Sequence, residues 1–505
     1  MNISMLLDMA AEGFGDRVVV GRTEDGLTPR RLRELSAGGA RAVRRAGADA
    51  ILHLAVNGPA FPVALFAAAR AGVPLVPVNY RLGEAQLDAL LANHPHALGI
   101  ADPDQAEALH RAGLPVRSPA EWLAETAADA GDGELDDEAA APDTPAVLIY
   151  TSGTTSAPKG VILRHQNLVS YVFGTVEFAG ADPDDAALVS VPPYHIAAVS
   201  NALTNLYAGR RALTLDQFTP EGWLGLVREQ RITNAMVVPT MLARIMDAPP
   251  GLDRSVPSLR ALAYGGARMP VRVIETALRT WPHVDFVNAY GLTETSSTIS
   301  VLGPDEHRAA VASADPAVRE RLGSAGLPVP GVELEVRDLD GTVVAAGEAG
   351  QIWVRGDQVS GEYAGGGSAV DERGFFHTRD QGRLDADGYL YIEGRADDTI
   401  IRGAENIAPA EIEDVLLRHP DVLDAVVVGI PDEEWGQRIE AVVVAREGAE
   451  ADAAALRASV RGTLRGSKTP DRITYWSELP RTPTGKLIRR DIVAALTAEG
   501  KPAVR

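Results

Sequence analysis

A short apolar segment that runs directly into a loop of small hydroxylated residues is the strongest constraint in this sequence. Residues 148–160 read LIYTSGTTSAPKG. The first three are apolar and partly β-branched, as in a buried strand, and most of the others are Gly, Ser, Thr or Pro. Gly153 lets the backbone approach a ligand, and Lys159 supplies a mobile positive charge. The segment therefore predicts a strand entering a polyphosphate-binding loop, with hydroxyl donors from Thr151, Ser152, Thr154 and Thr155.

This loop differs from the P-loop of common nucleotide hydrolases, because it ends Ala-Pro-Lys-Gly and not Gly-Lys-Ser/Thr. A Ser/Thr-rich surface loop is the alternative on composition alone. Lysine usage argues against that alternative. The chain has 48 basic residues, of which only Lys159, Lys468, Lys486 and Lys501 are lysines. A chain this rich in arginine keeps lysine mainly where a compact ammonium is needed, such as beside phosphate or carboxylate.

Length and composition limit the possible folds and partners. At 505 residues the chain is too long for one core, so we expect at least two domains. A net charge of -21 argues against nucleic acid or an anionic membrane surface as a partner. The absence of cysteine excludes disulfides, a thiol nucleophile and thiolate metal sites. We find neither a signal-peptide pattern nor an apolar membrane span, which predicts a cytoplasmic protein.

Alternating helical and strand patterns define the expected architecture. Residues 28–50 predict an amphipathic helix, 51–56 a strand, 61–70 a helix and 73–78 a strand, an alternation typical of parallel α/β layers. An acidic, Ala-rich connector at 126–143 precedes the phosphate loop. Short alternating strands between 323 and 394 predict a small β subdomain. Residues 409–500 read as helix, strand, strand, helix, strand, loop and helix, which predicts a small α+β domain.

Three further motifs contain residues suited to nucleotide chemistry. In NAYGLTET, residues 288–295, Tyr290 offers a flat face to a purine and Thr293 a hydroxyl to a phosphate. Glu294 offers a hard oxygen ligand for Mg²⁺, which retains waters and takes other ligands from nucleotide phosphates. LRALAYGGA, residues 259–267, reads as a strand entering a tight glycine turn. PRTPTGKLIRR, residues 480–490, places Lys486 on a Pro/Gly loop.

Taken in order over nearly the whole chain, these motifs resemble those of the AMP-forming adenylating superfamily, which includes acyl-CoA synthetases, aryl-CoA ligases, luciferases and the adenylation domains of peptide synthetases. The resemblance implies a large N-terminal adenylation domain over residues 1–395, with parallel sheets layered with helices and a β subdomain at 323–394. It also implies a small, mobile α+β lid domain over 396–505, which rotates about a hinge at Asp397. Two departures are Ser156 and Ala404, where the family usually has glycine; the second puts thiol access in question.

The resemblance also implies roles for individual residues. Lys486, Thr293, Glu294 and His195 would be catalytic, with Glu294 as the Mg²⁺ ligand and Asp380 bound to the ribose hydroxyls. Trp435 would stack on the CoA adenine, a buried core tryptophan being the alternative. The nucleotide-binding residues would be Thr151, Ser152, Gly153, Thr154, Thr155, Lys159, Gly265, Gly266, Asn288, Tyr290, Gly291, Asp380, Arg395 and Gly403. The acid pocket would be lined by His195, Ile196, Ala197, Tyr264 and Ala267.

The implied reaction is an ATP-dependent acid:CoA ligation. The acid would form an acyl-AMP with release of pyrophosphate, and CoA would then take the acyl group with release of AMP. Family members that activate α-amino acids carry an aspartate in the region of residues 196–201, which here contains no acid; an acid with an apolar aryl or alkyl tail is therefore expected. The alternatives are adenylation of an unusual oxyanion, transfer to a carrier-protein thiol or another nucleophile, and a non-catalytic adenylate-binding regulator. The sequence leaves the acid, the acceptor and the oligomeric state open.

Overall fold

The computed structural model describes residues 1–130, 141–151, 159–249, 251–402, 405–432, 435–449, 451–464, 466–482 and 485–499. The predicted nucleotide-binding residues Ser152, Gly153, Thr154, Thr155 and Gly403 lie outside these ranges, as do Ser156 and Ala404. None of the helices within the described ranges is long and apolar enough to cross a membrane.

The helices of the described ranges are α1 (Ile3–Phe14), α2 (Pro29–Ala46), α3 (Ala60–Ala71), α4 (Glu84–Leu91), α5 (Ala106–Arg111), α6 (Pro119–Ala128), α7 (His165–Thr175), α8 (Ile196–Ala208), α9 (Pro220–Glu229), α10 (Pro239–Met246), α11 (Val271–Thr280), α12 (Pro304–Ala312), α13 (Pro316–Glu320), α14 (Pro409–Leu417), α15 (Ala453–Thr463) and α16 (Arg489–Glu499). Helix α2 shows how local sequence sets the ends. The Thr28 hydroxyl accepts from the Arg31 N–H at 3.2 Å, and Gly47 ends the helix with a left-handed φ of 61°.

The strands are β1 (Ile51–Leu54), β2 (Leu75–Pro77), β3 (Leu98–Ala101), β4 (Val116–Arg117), β5 (Pro145–Thr151), β6 (Lys159–Arg164), β7 (Ala186–Val189), β8 (Arg211–Thr214), β9 (Asn234–Val237), β10 (Ala261–Gly265), β11 (Asp285–Leu292), β12 (Ser297–Leu302), β13 (Leu327–Pro328), β14 (Glu333–Arg337), β15 (Gly350–Arg355), β16 (Glu362–Tyr363), β17 (Gly367–Ser368), β18 (Phe376–Leu384), β19 (Leu390–Arg395), β20 (Ile400–Arg402), β21 (Glu405–Ile407), β22 (Val422–Asp432), β23 (Gly436–Ala445) and β24 (Arg472–Tyr475).

Two large mixed sheets form the body of the protein. One has the order β17-β16-β6-β5-β2-β1-β3-β4, and the other has the order β13-β12-β11-β10-β9-β7-β8. The run from β5 to β4 and the run from β11 to β8 are parallel. Every residue of β1 is buried, as expected for a parallel strand covered on both faces. The predicted α/β class with layered parallel sheets is therefore confirmed.

The strands expected between residues 323 and 394 do not all stay together. Strands β14, β15, β18 and β19 form a four-stranded antiparallel sheet. The two-residue strand β16 instead joins the first large sheet, where Tyr363 pairs with Val161 of β6. The sequence predicted a small β subdomain over these residues. The pairing of β16 with β6 satisfies an outer edge of β6 that would otherwise be unpaired. It attaches the small sheet to the phosphate-loop hairpin.

The C-terminal residues form a small unit with its own core. After a 3₁₀ turn at Ala396–Asp398, the pair β20–β21 leads into a three-stranded sheet of order β22-β23-β24. Helices α14 and α15 cover one apolar cluster, which includes Ile412 and Leu456, and α16 covers another, which includes Ile492. The order α14, β22, β23, α15, β24, α16 is the order that the sequence predicts. We call this unit, from residue 396 onward, the lid.

Candidate active site

Asp380 sits at the end of a bulge in β18. Gln351 pairs with Gln381 and Trp353 with His377, so residues 378–380 lie opposite the single residue Ile352. The Asp380 Oδ2 accepts from the Tyr290 hydroxyl at 2.6 Å, and its Oδ1 lies 3.1 Å from the Arg395 Nε. Burial raises the pKa of Asp380, while Arg395 and the Tyr290 hydrogen bond oppose that rise. Three predicted nucleotide residues are therefore brought together by direct contacts.

Glu294 lies on a 3₁₀ turn, Thr293–Thr295, directly after β11. Its Oε1 accepts from the Tyr363 hydroxyl at 2.8 Å, and its carbonyl accepts from the backbone N–H groups of Ser360 and Gly361 at 2.9 and 3.2 Å. Burial, followed by Glu294, raises the pKa of Tyr363, so the phenol remains a donor at neutral pH. The segment that carries β16 thus fixes the predicted Mg²⁺ ligand against the first large sheet.

Lys159 begins β6, across the hairpin from Thr151, the last residue of β5. Its side chain is exposed, and its Nζ lies 5.7 Å from the centre of the Tyr363 ring. The Thr151 hydroxyl donates weakly to the Lys159 carbonyl at 3.4 Å. Because Tyr363 contacts Glu294, the predicted phosphate-binding lysine and the predicted magnesium ligand both lie next to the same tyrosine.

Lys486 projects from a lid loop toward the body. The Thr482 Oγ1 accepts from the Lys486 N–H at 3.0 Å, and Arg481 donates to the Gly485 carbonyl and to Asp424, each at 2.7 Å. Burial, followed by the charge of Arg395, lowers the pKa of Lys486. The carboxylates that oppose this shift are Asp380, Asp398 and Glu294. The ammonium therefore stands among residues of both the body and the lid.

The lid loop also touches the body directly at Gly485. This residue has a left-handed φ of 81°, and a Cβ built on it would lie 2.4 Å from the hydroxyl oxygen of Thr240. Thr240 is the second residue of α10, two positions after Val238. Only glycine allows this approach, so the glycine before Lys486 seats the lysine loop against α10.

His195 caps the N-terminus of α8, where its Nδ1 accepts from the Ala197 N–H at 3.3 Å. Burial, followed by the charge of Lys486, lowers the pKa of His195 to about 4. The imidazole is thus neutral at physiological pH. Because Nδ1 accepts, the proton is on Nε2, which makes His195 a neutral donor toward the neighbouring cavity.

A cavity at the carboxyl ends of the second sheet holds most of the predicted acid pocket. It is lined by Val191, His195, Ile196, Ala197, Met236, Val238, Gly265, Gly266, Ala289, Gly291, Ser297 and Thr298. None of these side chains is charged at neutral pH. The three predicted residues His195, Ile196 and Ala197 are among them, as are Gly265 and Gly266 of the predicted glycine turn and Gly291 of β11.

The prediction that Tyr264 and Ala267 line this cavity is wrong. Tyr264 is fully buried on the opposite face of β10, where its hydroxyl lies 2.8 Å from the His307 Nε2. Side chains alternate along a strand, so Tyr264 shares a face with Leu262, while Gly265 faces the cavity. A Cβ on Gly265 would lie 2.2 Å from the Ala289 carbonyl oxygen, which explains the glycine. Ala267 follows the turn and is not among the lining residues.

The remaining predicted residues differ in their surroundings. The Asn288 side chain donates to the Ser324 carbonyl at 2.8 Å and so fixes a neighbouring loop.

Trp435 is 45% exposed, with the Arg402 guanidinium 5.4 Å from its ring, so the buried-core alternative for this residue is wrong. Asp397 is exposed within the 3₁₀ turn that joins body and lid. Its neighbour Asp398 pairs with Arg489 at 3.3 Å.

Two contact residues escaped the sequence analysis. Tyr363 holds Glu294, yet it lies in a two-residue strand without a motif. Thr240 contacts the lysine loop from a helix far away in sequence. The only local signal was that Tyr363 is an aromatic residue near a glycine run, with Ala364 between them, in GEYAGGG.

The residues around Glu294 fit Mg²⁺ bound together with a nucleotide. Among the described residues, no three His, Asp or Glu side chains lie close enough to hold a metal ion by themselves. Glu294 uses Oε1 for Tyr363, while its second oxygen has no partner in the described part of the chain. Mg²⁺ in nucleotide sites commonly takes one or two carboxylates together with phosphate oxygens.

Comparison with known proteins places this geometry among nucleotide-dependent ligases. Residues 7–364 match the family described as AMP-binding enzyme, and residues 411–486 match the AMP-binding enzyme C-terminal domain. The chain is 36% identical to a feruloyl-CoA synthase from an Amycolatopsis species over 462 residues, 90% of each chain. It is 33% identical to the fatty acid–[acyl-carrier-protein] ligase ScoC of Streptomyces coeruleorubidus over 490 residues, 94% of this chain and 91% of that one.

A solved structure shows the same fold. The o-succinylbenzoate CoA synthetase MenE of Bacillus subtilis, in complex with ATP and magnesium, has a TM-score of 0.82 to this chain. The sequences are 27% identical, and the similarity covers 96% of this chain and 98% of that one.

Proposed function

The chain belongs to the AMP-binding enzyme family and is an AMP-forming acid–CoA ligase that uses ATP, Mg²⁺ and CoA; from this premise we propose that its substrate is an acid with an uncharged apolar tail, and that residues from both body and lid carry the chemistry. The observation that supports the proposal is the position of Lys486. A lid ammonium stands within electrostatic reach of Asp380, Glu294 and His195, all of which belong to the body.

In the first half-reaction an oxygen of the substrate carboxylate attacks the α-phosphorus of ATP, and pyrophosphate leaves. Negative charge grows on phosphate oxygens, so electrostatic stabilisation is the main requirement and no protein nucleophile is needed. Lys486 would donate to the α-phosphate and the carboxylate, and Lys159 would contact the β- and γ-phosphates. Asp380 would accept from the ribose hydroxyls. When bound, Mg²⁺ would neutralise phosphate charge, with the free oxygen of Glu294 as its protein ligand.

His195 would orient the acid. Its neutral imidazole can donate from Nε2 to a carboxylate oxygen without adding a second full positive charge beside Lys486. Because the pKa of His195 is about 4, protonation does not change this donor between pH 5 and neutrality. Thr293, at the start of the turn that carries Glu294, would offer its hydroxyl to the α-phosphate.

In the second half-reaction the lid would rotate about Asp397, withdraw Lys486 and admit a thiol. The thiolate attacks the acyl carbon, the acyl–phosphate bond breaks, and AMP leaves with the electron pair. Trp435 supports this proposal, because an exposed indole on the lid can stack on the adenine of CoA. The exposed turn at Ala396–Asp398 is a suitable place for the backbone rotation.

The cavity supports an uncharged tail. Its lining contains aliphatic side chains, glycines, two hydroxyls and one neutral histidine, with no group to pair with a second carboxylate or a sulfonate. Burial of an unpaired charge costs several kcal/mol, on the order of a hundredfold or more in specificity. The similarity to a feruloyl-CoA synthase favours an aryl tail within this class.

A carrier-protein thiol is a further acceptor to test beside CoA, because the chain is also similar to the ligase ScoC. The enzyme relatives favour catalysis over the non-catalytic regulator considered from the sequence.

A panel of carboxylic acids tests the proposal. Pyrophosphate release would be measured with ATP and Mg²⁺ for matched pairs that differ only at the tail, such as butanoate and succinate, alongside cinnamate-type and straight-chain acids. Thioester formation would then be followed with CoA and with a phosphopantetheinylated carrier protein. We expect activity with uncharged tails and at least about a hundredfold less with charged partners. Equal activity on both members of a pair would contradict the tail assignment, and loading of the carrier alone would contradict CoA.

A further inference from the structure

Arg379 is the residue before Asp380, and its backbone is unusual. Its φ is +64°, in the left-handed region that glycine adopts readily and arginine rarely does. The position lies inside the three-residue bulge opposite Ile352. The bulge is held by Thr378, whose hydroxyl donates to the Ile352 carbonyl at 2.8 Å and accepts from the Asp380 N–H at 3.1 Å. The arginine side chain has no part in these contacts, so the bulge does not account for it.

The side chain of Arg379 is exposed and makes no hydrogen bond or ion pair with the residues that the structure describes. This distinguishes it from the neighbouring cations. Arg395 pairs with Asp380, and Arg373 pairs with Glu335 at 2.6 Å. In a chain with a net charge of -21, an unpaired guanidinium beside the predicted nucleotide site is a significant source of positive potential.

Arg379 and Lys159 are both connected to the segment of Tyr363. Phe376, three residues earlier, lies against Gly361, which leads into Tyr363. The charge of Arg379 acts on the Tyr363 hydroxyl, so the guanidinium lies in the neighbourhood of this tyrosine. Lys159 stands 5.7 Å from the ring of the same tyrosine. Two cations that form no ion pair among the described residues therefore lie near the tyrosine that holds the predicted magnesium ligand.

We propose that Arg379 is a further substrate-binding residue, whose guanidinium contacts the β- and γ-phosphates of ATP together with Lys159. This inference rests on the nucleotide site proposed above and extends it by one residue. Strained backbone persists where it serves a function. A long cation near Tyr363 and Lys159 would be within reach of the outer phosphates. An arginine suits this role because its planar fork can contact two phosphate oxygens at once.

The test uses variants that separate the guanidinium from the backbone. Arg379→Gly removes the charge and relaxes the left-handed φ, whereas Arg379→Ala removes the charge and keeps the Cβ strain. Arg373→Ala is the matched control, because it deletes an exposed, paired arginine of the same sheet. Affinities for ATP and for AMP would be measured by calorimetry with Mg²⁺ and without acid or CoA, next to melting temperatures and the KM for CoA.

We expect both Arg379 variants to weaken ATP binding about tenfold, as for loss of a charge-assisted hydrogen bond, and to leave AMP binding unchanged because AMP lacks the outer phosphates. The melting temperature of the Gly variant should equal or exceed that of the wild type. Wild-type ATP affinity in Arg379→Gly would overturn the proposal. Equal losses for ATP and AMP, or a change confined to the KM for CoA, would overturn it as well.

These binding measurements stay informative if the proposed acid specificity fails, because they involve no acid. If ATP itself does not bind to the wild type, the nucleotide site is wrong and the Arg379 assignment fails with it. A panel in which no acid supports pyrophosphate release would contradict the proposed function while leaving the comparison of ATP with AMP decisive for Arg379.

Discussion

The body and the lid hold their parts of the site in different ways. In the body, Asp380 lies in the bulge of β18 and Glu294 in the turn after β11. They accept short hydrogen bonds from Tyr290 and Tyr363, which belong to strands of the large sheets. In the lid, Lys486 lies on a loop between β24 and α16 that Thr482 and Arg481 hold in place. The body residues of the site are therefore held by the sheets, whereas Lys486 reaches the site from a loop of the lid.

The contacts between lid and body explain how the second half can also leave. They include the ion pair of Arg268 with Asp414, whose side chains are 40% and 27% exposed, and a pair of Arg446 with Asp247 at 4.0 Å. Ion pairs this accessible to solvent contribute about 0–1 kcal/mol each. A lid held in this way can adopt a second orientation at low cost, whereas displacing Asp380 would break a buried network. The body thus holds Asp380 in a fixed position, whereas the lid would bring Lys486 to the site reversibly.

The variant Lys486→Ala is the strongest test of the difference between body and lid. Loss of the ammonium should slow adenylate formation about a hundredfold to a thousandfold, the effect of removing one preorganised donor from developing charge. Conversion of a supplied acyl adenylate to thioester should be nearly unchanged, because Lys486 would be withdrawn in that step of the proposed mechanism. The two rates would be measured separately, by pyrophosphate release and by thioester formation.

Lys468→Ala is the matched control for that variant. Lys468 is also a lid lysine, but it pairs with Glu411. It should retain most of both activities. If Lys486→Ala slowed both half-reactions equally, the lysine would not be a group that the lid delivers for one step alone.

Tyr363→Phe examines the body half and should have an intermediate effect. The change removes the hydroxyl that donates to Glu294 at 2.8 Å and leaves the ring in place. Loss of a partner that orients a metal ligand typically lowers metal affinity tenfold or more. We therefore expect the Mg²⁺ concentration for half-maximal adenylation to rise about tenfold, with little change in the KM for the acid.

Tyr391→Phe serves as the control, because the Tyr391 ring packs under Arg383 at 4.1 Å in the same small sheet without contacting Glu294. An unchanged Mg²⁺ requirement in Tyr363→Phe would show that the turn of Glu294 is already fixed by its backbone hydrogen bonds.

Asp414→Asn should have the smallest effect and tests the interface directly. It removes one partner of the pair with Arg268 and leaves the fold of each unit intact. We expect adenylation to fall about twofold to threefold, in line with a partly exposed pair. Thioester formation from a supplied adenylate should not fall.

The double variant Arg268→Gln with Asp414→Asn should be no slower than the single variant, as expected when both changes remove the same interaction. A loss of more than about tenfold in Asp414→Asn would contradict the view that the lid is weakly held.

The sequence predicted the parts of the site that lie in short local patterns. Lys486 and Glu294 each stand in a short motif whose residue types indicate its chemistry, whereas the role of Asp380 came from the family resemblance. The order of elements in the lid followed from periodicity. Tyr363 could not be found in this way, because its partner Glu294 is 69 residues away and the pairing of β16 with β6 is a tertiary event. Contacts of this kind depend on which strand has an unpaired edge in the folded sheet.

The burial of Tyr264 follows from the residue pattern of its own strand. In LRALAYGGA the large residues Leu262 and Tyr264 alternate with Ala261, Ala263 and Gly265. Period-two alternation assigns the large residues to one face of the strand, which is the core, and the small ones to the cavity side. The tyrosine therefore belonged to the packed layer from the outset.

The contact between Gly485 and Thr240 has a consequence for selectivity. Helix α10 starts directly after Val238, a wall residue of the acid cavity, and the lysine loop rests on its second residue. An acid whose tail pushes this helix outward would also tilt the ammonium away from the reacting oxygens. Because coupling between two sites is reciprocal, docking of the lysine loop on α10 would raise the affinity for acids whose tails do not displace this helix. Acids that fit the cavity poorly should then show a lower kcat as well as weaker binding.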